Sequence, residues 1–168
     1  MIDLGMFYNL QPFIIFKKNR NHLKRCAYKY QHMRLQETHI LIIDDDEINN
    51  FIAGKLIKKV QENTIVSTCL NGLEGINFIK DKIKSDNFPD IIFLDINMPI
   101  MNGWEFLDLF AELKSEMNKE VIINMLSSSV YNEDIEKAKI YPDVNKFISK
   151  PLTIEKIQNI FADLKIIQ

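Results

Sequence analysis

Four stretches of this sequence carry side chains that could do chemistry, and each stands where an apolar run stops. HILII (39–43) runs into Asp44-Asp45-Asp46-Glu47, and IIFL (91–94) runs into Asp95, followed by Ile96-Asn97-Met98-Pro99. VIINML (121–126) stops at Ser127-Ser128-Ser129, and KFIS (146–149) stops at Lys150-Pro151. The types gathered are carboxylates, hydroxyls and an ammonium. Clustered carboxylates repel one another unless neutralised. A hard divalent cation does this, and Mg2+ binds through one or two carboxylates, waters and phosphate oxygens. A carboxylate beside such an ion can attack a phosphoryl group and form an acyl phosphate. That reaction needs charge neutralisation on the equatorial oxygens more than it needs acid–base groups. Asp44 and Asp45 suit the metal, and Lys150 and Ser127 suit the phosphoryl oxygens, around Asp95 as nucleophile.

These residues can cooperate only if the elements between them bring the run ends together. The pattern predicts strands at His39–Ile43, Thr64–Leu70, Ile91–Leu94, Val121–Leu126 and Lys146–Ser149. Between and after them, helices are predicted at Ile48–Val60, Leu73–Ile83, Gly103–Leu113, Glu133–Ile140 and Ile154–Leu164. The first helix has apolar residues at Ile48, Phe51, Ile52, Leu56 and Val60, and the second at Leu73, Ile76, Ile79 and Ile83. Asn71-Gly72 reads as a turn, and Thr153 as the cap of the last helix. Short, continuously apolar strands alternating with amphipathic helices imply a parallel sheet covered on both faces, a doubly wound (βα)5 domain. In such sheets ligands bind beyond the carboxyl ends of the strands, where these four stretches stand.

On ILIIDDD (40–46), IIFLDINMPIMNGWEFL (91–107), MLSSS (125–129) and FISKP (147–151), the chain from His39 onward resembles the receiver domain of two-component response regulators. The resemblance covers about 130 residues in the right order, and the joint set is far more specific than any one piece. It implies the flavodoxin-like receiver fold with strand order 2-1-3-4-5. It implies Asp95 as phosphoacceptor, accepting from a phosphohistidine. Mg2+ would be held by Asp45, Asp95 and the backbone carbonyl of Asn97, with Asp44 acting through water. Ser127 and Lys150 would contact the phosphoryl group, and Phe147 with Ser127 would form the switch. Asn97 and Ser129 would tune dephosphorylation, and the Lys150-Pro151 peptide would be cis. The implied partners are a sensor histidine kinase or histidine phosphotransfer protein and a downstream protein target, in the cytoplasm. In that family the first helix helps dock the phosphodonor, which makes Ile48 and Phe51 candidates for that contact.

Other readings fit less well. A haloacid-dehalogenase-type phosphatase wants an acid two residues after its nucleophile, and position 97 is Asn. A flavin-binding relative wants a hydroxyl- and glycine-rich phosphate loop after the first strand, where this chain is acidic. A receiver used only as an interaction module would not need Asp45, Asp95, Ser127 and Lys150 together. Asp46 and Glu47 read as exposed first-turn acids, Asn49-Asn50 as helix surface or a partner-facing start, and Gly103 as a turn residue where a Cβ is unwelcome. Trp104 reads as core or partly covered surface, and Cys69 as strand packing.

The 168 residues hold 21 Lys+Arg and 23 Asp+Glu, a net of −2, but the charge is divided. Residues 1–38 hold seven Lys+Arg and two acids, net +5; residues 39–168 hold 14 Lys+Arg and 21 acids, net −7. The acidic body argues against direct DNA binding. Two cysteines without Cys-x-x-Cys exclude a disulfide framework, and no apolar run approaches the ~20 residues of a membrane span. Residues 1–38 form a basic extension ahead of the receiver at 39–168. Its apolar Leu10–Phe16 stretch precedes its charges, the reverse of a secretory signal. A weakly ordered or start-site addition ahead of Met33, an arm docking on the body or a partner, and a targeting peptide all stay open for it. After the last helix only Lys165–Gln168 follow, so the expected protein is a stand-alone receiver whose output is a binding event or onward phosphoryl transfer.

Overall fold

The computed structural model describes residues 38–128 and 132–166. Within them lie five strands and five helices in strict alternation: β1 Thr38–Ile43, α1 Glu47–Val60, β2 Thr64–Cys69, α2 Gly72–Lys82, β3 Ile91–Asp95, α3 Gly103–Leu113, β4 Ile122–Ser127, α4 Asn132–Ala138, β5 Val144–Ser149 and α5 Ile154–Ile166. The strands form one sheet in the order β2-β1-β3-β4-β5, all pairs parallel. This is the doubly wound arrangement, and strand order reverses between β1 and β3, where ligands of such folds bind.

The central strands are apolar on both faces because both faces are covered. Leu41, Ile43, Ile92, Leu94, Ile123 and Met125 point to the α2–α3–α4 side, against Ile76, Ile79, Phe106, Phe110 and Ile135. Ile40, Ile42, Ile91 and Phe93 point the other way, onto Ala53, Ile57, Ile157, Ile160 and Phe161 of α1 and α5. The period-2 alternation of a strand is thus divided between two cores.

Several boundaries move, for physical reasons. Asp95 is the last residue of β3, paired with Leu126 on β4, so the ladder holds its backbone. β5 begins at Val144, not Lys146; Val144 pairs with Ile123 and Lys146 with Asn124, and a register shift there accommodates Asn145. α4 stops at Ala138; the expected extension to Ile140 forms turns, and Ile140 is exposed. Asn71 is the N-cap of α2, its side chain accepting from the Glu74 amide, so Gly72 starts a helix. Asp46 caps α1, accepting from the amides of Ile48 and Asn49. Thr153 caps α5 as expected, its hydroxyl accepting from the Lys156 amide at 3.3 Å.

On α1 the apolar residues divide. Ile48, Phe51 and Ile52 are 71, 66 and 49% exposed, so the two singled out for donor docking stand on the surface, while Leu56 and Val60 pack partly against the core. Asn50, Ala53 and Ile57 face in. Asn50, expected on the surface or facing a partner, is buried.

Candidate functional site

The carboxyl ends of β1, β3, β4 and β5 bring the predicted residues to one place. Backbone hydrogen bonds extend the sheet just past the strands and fix the loop starts. The amide of Asp44 donates to the carbonyl of Cys69 (3.1 Å), that of Ile96 to Leu126 (3.2 Å), and that of Lys150 to Ser127 (2.7 Å). Asp44, Asp45 and Asp95 each offer a carboxylate oxygen, and these atoms lie within 4.8 Å of one another. Asp44 and Asp95 are buried, whereas Asp45 is exposed at the mouth. Lys150 reaches across from β5, its Nζ 2.6 Å from Asp44 Oδ2 and 3.1 Å from Asp95 Oδ1.

The electrostatics follow from burial and these pairings. Burial pushes the Asp95 carboxyl above the usual carboxylate range; the Lys150 ammonium opposes that and Asp44 adds to it. Burial also works against the charge on Lys150, but the hydrogen bonds and charges of Asp44 and Asp95 outweigh it and hold the ammonium above its ordinary value.

Ser127 is fully buried at the end of β4. Phe147 is buried in the core on the α2–α3–α4 side, so the inward orientation of this residue is the one observed. Asn97 is exposed in the loop after β3. The Lys150-Pro151 peptide is cis, as expected. Ser129 and the extension before Thr38 lie outside the described residues. Trp104, on α3, stacks against Tyr141 with centroids 5.8 Å apart, and Lys137 of α4 sits 4.5 Å over its ring.

The sequence reading missed two supporting residues. Asn50 donates its Nδ2 to the Asp44 carbonyl at 2.7 Å and steadies the acidic turn from below. Lys156 donates to the turn that carries Lys150. Gly103, expected where a Cβ is unwelcome, leaves no room for a side chain: a Cβ there would lie 2.4 Å from the Asp95 carbonyl oxygen and 3.0 Å from Ile96 Cα. A polar residue on the narrow inward stripe with Ala53 and Ile57 was the available signal for Asn50; for Lys156 there was none.

What the arrangement can do is limited by its donors. Three converging carboxylate oxygens fit a hard divalent cation and suit no soft metal. A buried carboxylate with an ammonium beside it fits attack on an anionic phosphorus centre.

The fold and this site define a doubly wound α/β domain with an acidic cluster at its switch point. Residues 40–162 match the family described as response regulator receiver domain, and the chain belongs to it. A two-component response regulator from Cytophaga hutchinsonii has a similar structure, with a TM-score of 0.71, 33% identity, and 78% of this chain and 98% of that one covered. A response regulator receiver protein from Dyadobacter fermentans gives 0.65, 27%, 76% and 98%. Hybrid signal transduction histidine kinase G of Dictyostelium discoideum is 30% identical over 123 residues, 73% of this chain but 3% of the kinase. The chain likewise spans 17% of the sensory/regulatory protein RpfC of Xanthomonas campestris. It thus spans only a small part of these curated relatives. No helix among the described residues is long and apolar enough to cross a membrane.

Proposed function

We propose that the chain accepts a phosphoryl group on Asp95 from a phosphohistidine and either changes a partner-binding surface or passes the group on. The observation that carries this reading is the convergence of Asp44, Asp45 and Asp95 with the Lys150 ammonium at the strand ends. An Asp95 carboxylate oxygen attacks phosphorus, the P–N bond to the donor imidazole breaks, and the departing ring nitrogen takes up a proton. Asp45, Asp95 and the Asn97 carbonyl would hold Mg2+, with Asp44 at one remove; the ion supplies charge neutralisation on the phosphoryl oxygens. Lys150 holds a second phosphoryl oxygen, exchanging part of its contact with the carboxylates for it, and the Ser127 hydroxyl donates to a third. Asn97 and Ser129 tune the lifetime of the phosphoryl group. Asp95 is fixed by the β3–β4 ladder, so the attacking atom is positioned before the donor arrives.

The donor, a histidine kinase or histidine phosphotransfer protein, docks on the outward apolar side of α1, where Ile48, Phe51 and Ile52 rise beside the acidic turn. Phosphorylation holds Ser127 toward the phosphoryl group and Phe147 inward, which biases the face formed by α4, β5 and α5. Residues 39–168 are the receiver and residues 1–38 a basic extension to it, acting in the cytoplasm.

The test is incubation with acetyl phosphate and Mg2+, followed by intact mass measurement. The expected result is the gain of one phosphoryl group, abolished in Asp95→Asn. An unlabelled wild-type protein would favour an interaction module that works without phosphorylation, and labelling that persists in Asp95→Asn would move the site elsewhere.

A further inference from the structure

Lys156 lies in the first turn of α5, and its ammonium turns back onto the end of β5. Its Nζ stands 2.6 Å from the Ser149 carbonyl oxygen, 3.2 Å from Ser149 Oγ and 3.0 Å from the Pro151 carbonyl oxygen. An ammonium has three hydrogens to donate. All three have acceptors within Ser149–Pro151, and Lys150 is the middle residue of that stretch. The carbonyls on either side of Lys150 are therefore tied to a single charged group.

The stretch needs such a tie. Pro151 has no amide hydrogen, so the turn after Lys150 loses a backbone donor. Lys150 keeps one backbone anchor, its amide donating to the Ser127 carbonyl. Lys156 supplies the other, from the α5 side. Burial lowers the Lys156 pKa, and the Glu155 charge opposes it.

We propose that Lys156 is a positioning residue for phosphoryl transfer: its ammonium clamps the Ser149–Pro151 turn and so aims Lys150 at the phosphoryl group on Asp95. This rests on the phosphoacceptor reading above. Lys156 acts through the turn: its ammonium bonds Ser149 and Pro151, not Asp95 or the residues that would hold the metal. The clamp connects the chemistry to α5. Any partner that shifts the first turn of α5 moves the Lys156 ammonium and with it the Lys150 side chain.

The experiment compares wild type, Lys156→Met, Lys156→Gln and Lys156→Arg by the rate of labelling with acetyl phosphate and Mg2+, alongside thermal unfolding. Met keeps the stem and removes the donors; Gln is a milder change in case Met folds poorly. A misaimed group costs up to about a hundredfold in rate per ångström, and a released turn is expected to slow labelling by about tenfold. Arg, with donors on a longer arm, is expected to recover the rate to within about threefold of wild type. The melting midpoints of Gln and Arg are expected to agree within the error of the measurement, separating rate from stability. Met and Gln variants that label at the wild-type rate overturn the inference and leave the phosphoacceptor reading standing. A slowing that tracks the melting midpoint and is not recovered by Arg also overturns it, because the role is then structural. A wild-type protein that takes no label overturns the reading on which the inference rests.

Discussion

Gly103→Ala is the smallest change expected to damage both the fold and the site. A Cβ at this position would lie 2.4 Å from the Asp95 carbonyl oxygen, 3.0 Å from Ile96 Cα and 3.3 Å from the Asp95 carbonyl carbon. Even close carbon–oxygen contacts stay near 3.3–3.6 Å, so the atoms overlap by about 1 Å. The neighbours are backbone, and no side chain can rotate away. Either α3 retreats or the Asp95 peptide does. Retreat of α3 breaks the Gly103 amide bond to the Ile96 carbonyl (2.9 Å) and strains the capping box that Asn102 and Glu105 form at the helix start. Overpacking costs about 1–3 kcal/mol and the lost hydrogen bond about 1 kcal/mol. The helix preference of Ala over Gly returns at most about 1 kcal/mol. With the full helix preference returned the net loss is about 1–3 kcal/mol, a fall of about 2–12 °C in melting midpoint for a chain of this size. If Asp95 yields instead, part of the loss appears as slower labelling. Thermal unfolding by circular dichroism and the labelling rate together capture both outcomes. Gly54→Ala is the control: its Cβ would meet only Val66 Cγ1 at 3.6 Å, an ordinary contact, and in mid-helix the change should stabilise by up to about 1 kcal/mol. Gly103→Ala matching wild type in both midpoint and rate would refute the steric reasoning.

Three further outcomes are expected. His39 is buried at the other end of β1, Nδ1 donating to the Asn87 carbonyl (2.7 Å) and Nε2 accepting from Ser67 Oγ (2.9 Å). Burial lowers its pKa below 6.5, against the Asn87 bond and the Asp90 charge and with the charges of Lys119 and Lys82. The unfolded chain therefore takes the proton first, and stability should fall as pH drops from 6.5 toward the folded value; His39→Gln should flatten that segment of the midpoint–pH curve. Ile100 has φ 70° and is exposed, with the Met101 amide donating to the Pro99 carbonyl at 2.7 Å across it. Relief of about 1–2 kcal/mol of left-handed strain exceeds the ~0.5–1 kcal/mol entropic cost of glycine, so Ile100→Gly should raise the urea midpoint; an unchanged or lower midpoint would count against strain there. Mg2+ at a hundredfold excess over its Kd should stabilise wild type by about 2.7 kcal/mol, and Asp45→Asn should lose most of that shift in a thermal melt; an equal shift would remove Asp45 from the metal site.

Much of this molecule was legible because parallel strands buried on both faces read as uninterrupted apolar runs, and chemistry in such sheets stands where the runs end. Asp44, Asp45, Asp95, Ser127 and Lys150 were visible for that reason. On α1 only Asn50 was misplaced: a hydrophobic stripe alone does not mark a core, and here Ile48, Phe51 and Ile52 face out while small Ala53 and polar Asn50 pack in. Helix starts were partly legible: Thr153 was recognised, but the capping roles of Asp46, Asn71 and Asn102 hide among residues that also suit turns and surfaces. Asn50 and Lys156 were hidden because their partners are backbone carbonyls, which every residue carries and no sequence pattern marks. Gly103 was singled out as a turn residue where a Cβ is unwelcome; it starts α3 with a φ that is not positive, and the space beside the Asp95 peptide is what requires it.

On the proposed reading, the rigidity of the site determines where its signal can go. The amides of Asp44, Ile96 and Lys150 are all tied to neighbouring strands, and Gly103 wedges α3 against the Asp95 peptide. A phosphoryl group on Asp95 cannot push this backbone aside cheaply; it can recruit side chains, Lys150 and Ser127 first. Ser127 is the last residue of β4, and the chain beyond it leads to α4, a seven-residue helix anchored by Ile135 and Ala138. Its other ties among the described residues include the Lys137–Trp104 contact and, just beyond the helix, the Tyr141 hydroxyl donating to Asp108 at 2.9 Å. A cation over an exposed ring contributes about 0.5–1 kcal/mol. A hydrogen bond to a charged acceptor contributes about 1.5–3 kcal/mol when sheltered and less at a surface. New charge-assisted bonds from Ser127 and Lys150 to a phosphoryl group fall in the same range. The two sets of contacts are therefore matched closely enough for phosphorylation to shift the population of α4 positions, while the ladder that holds Asp95 stays in place.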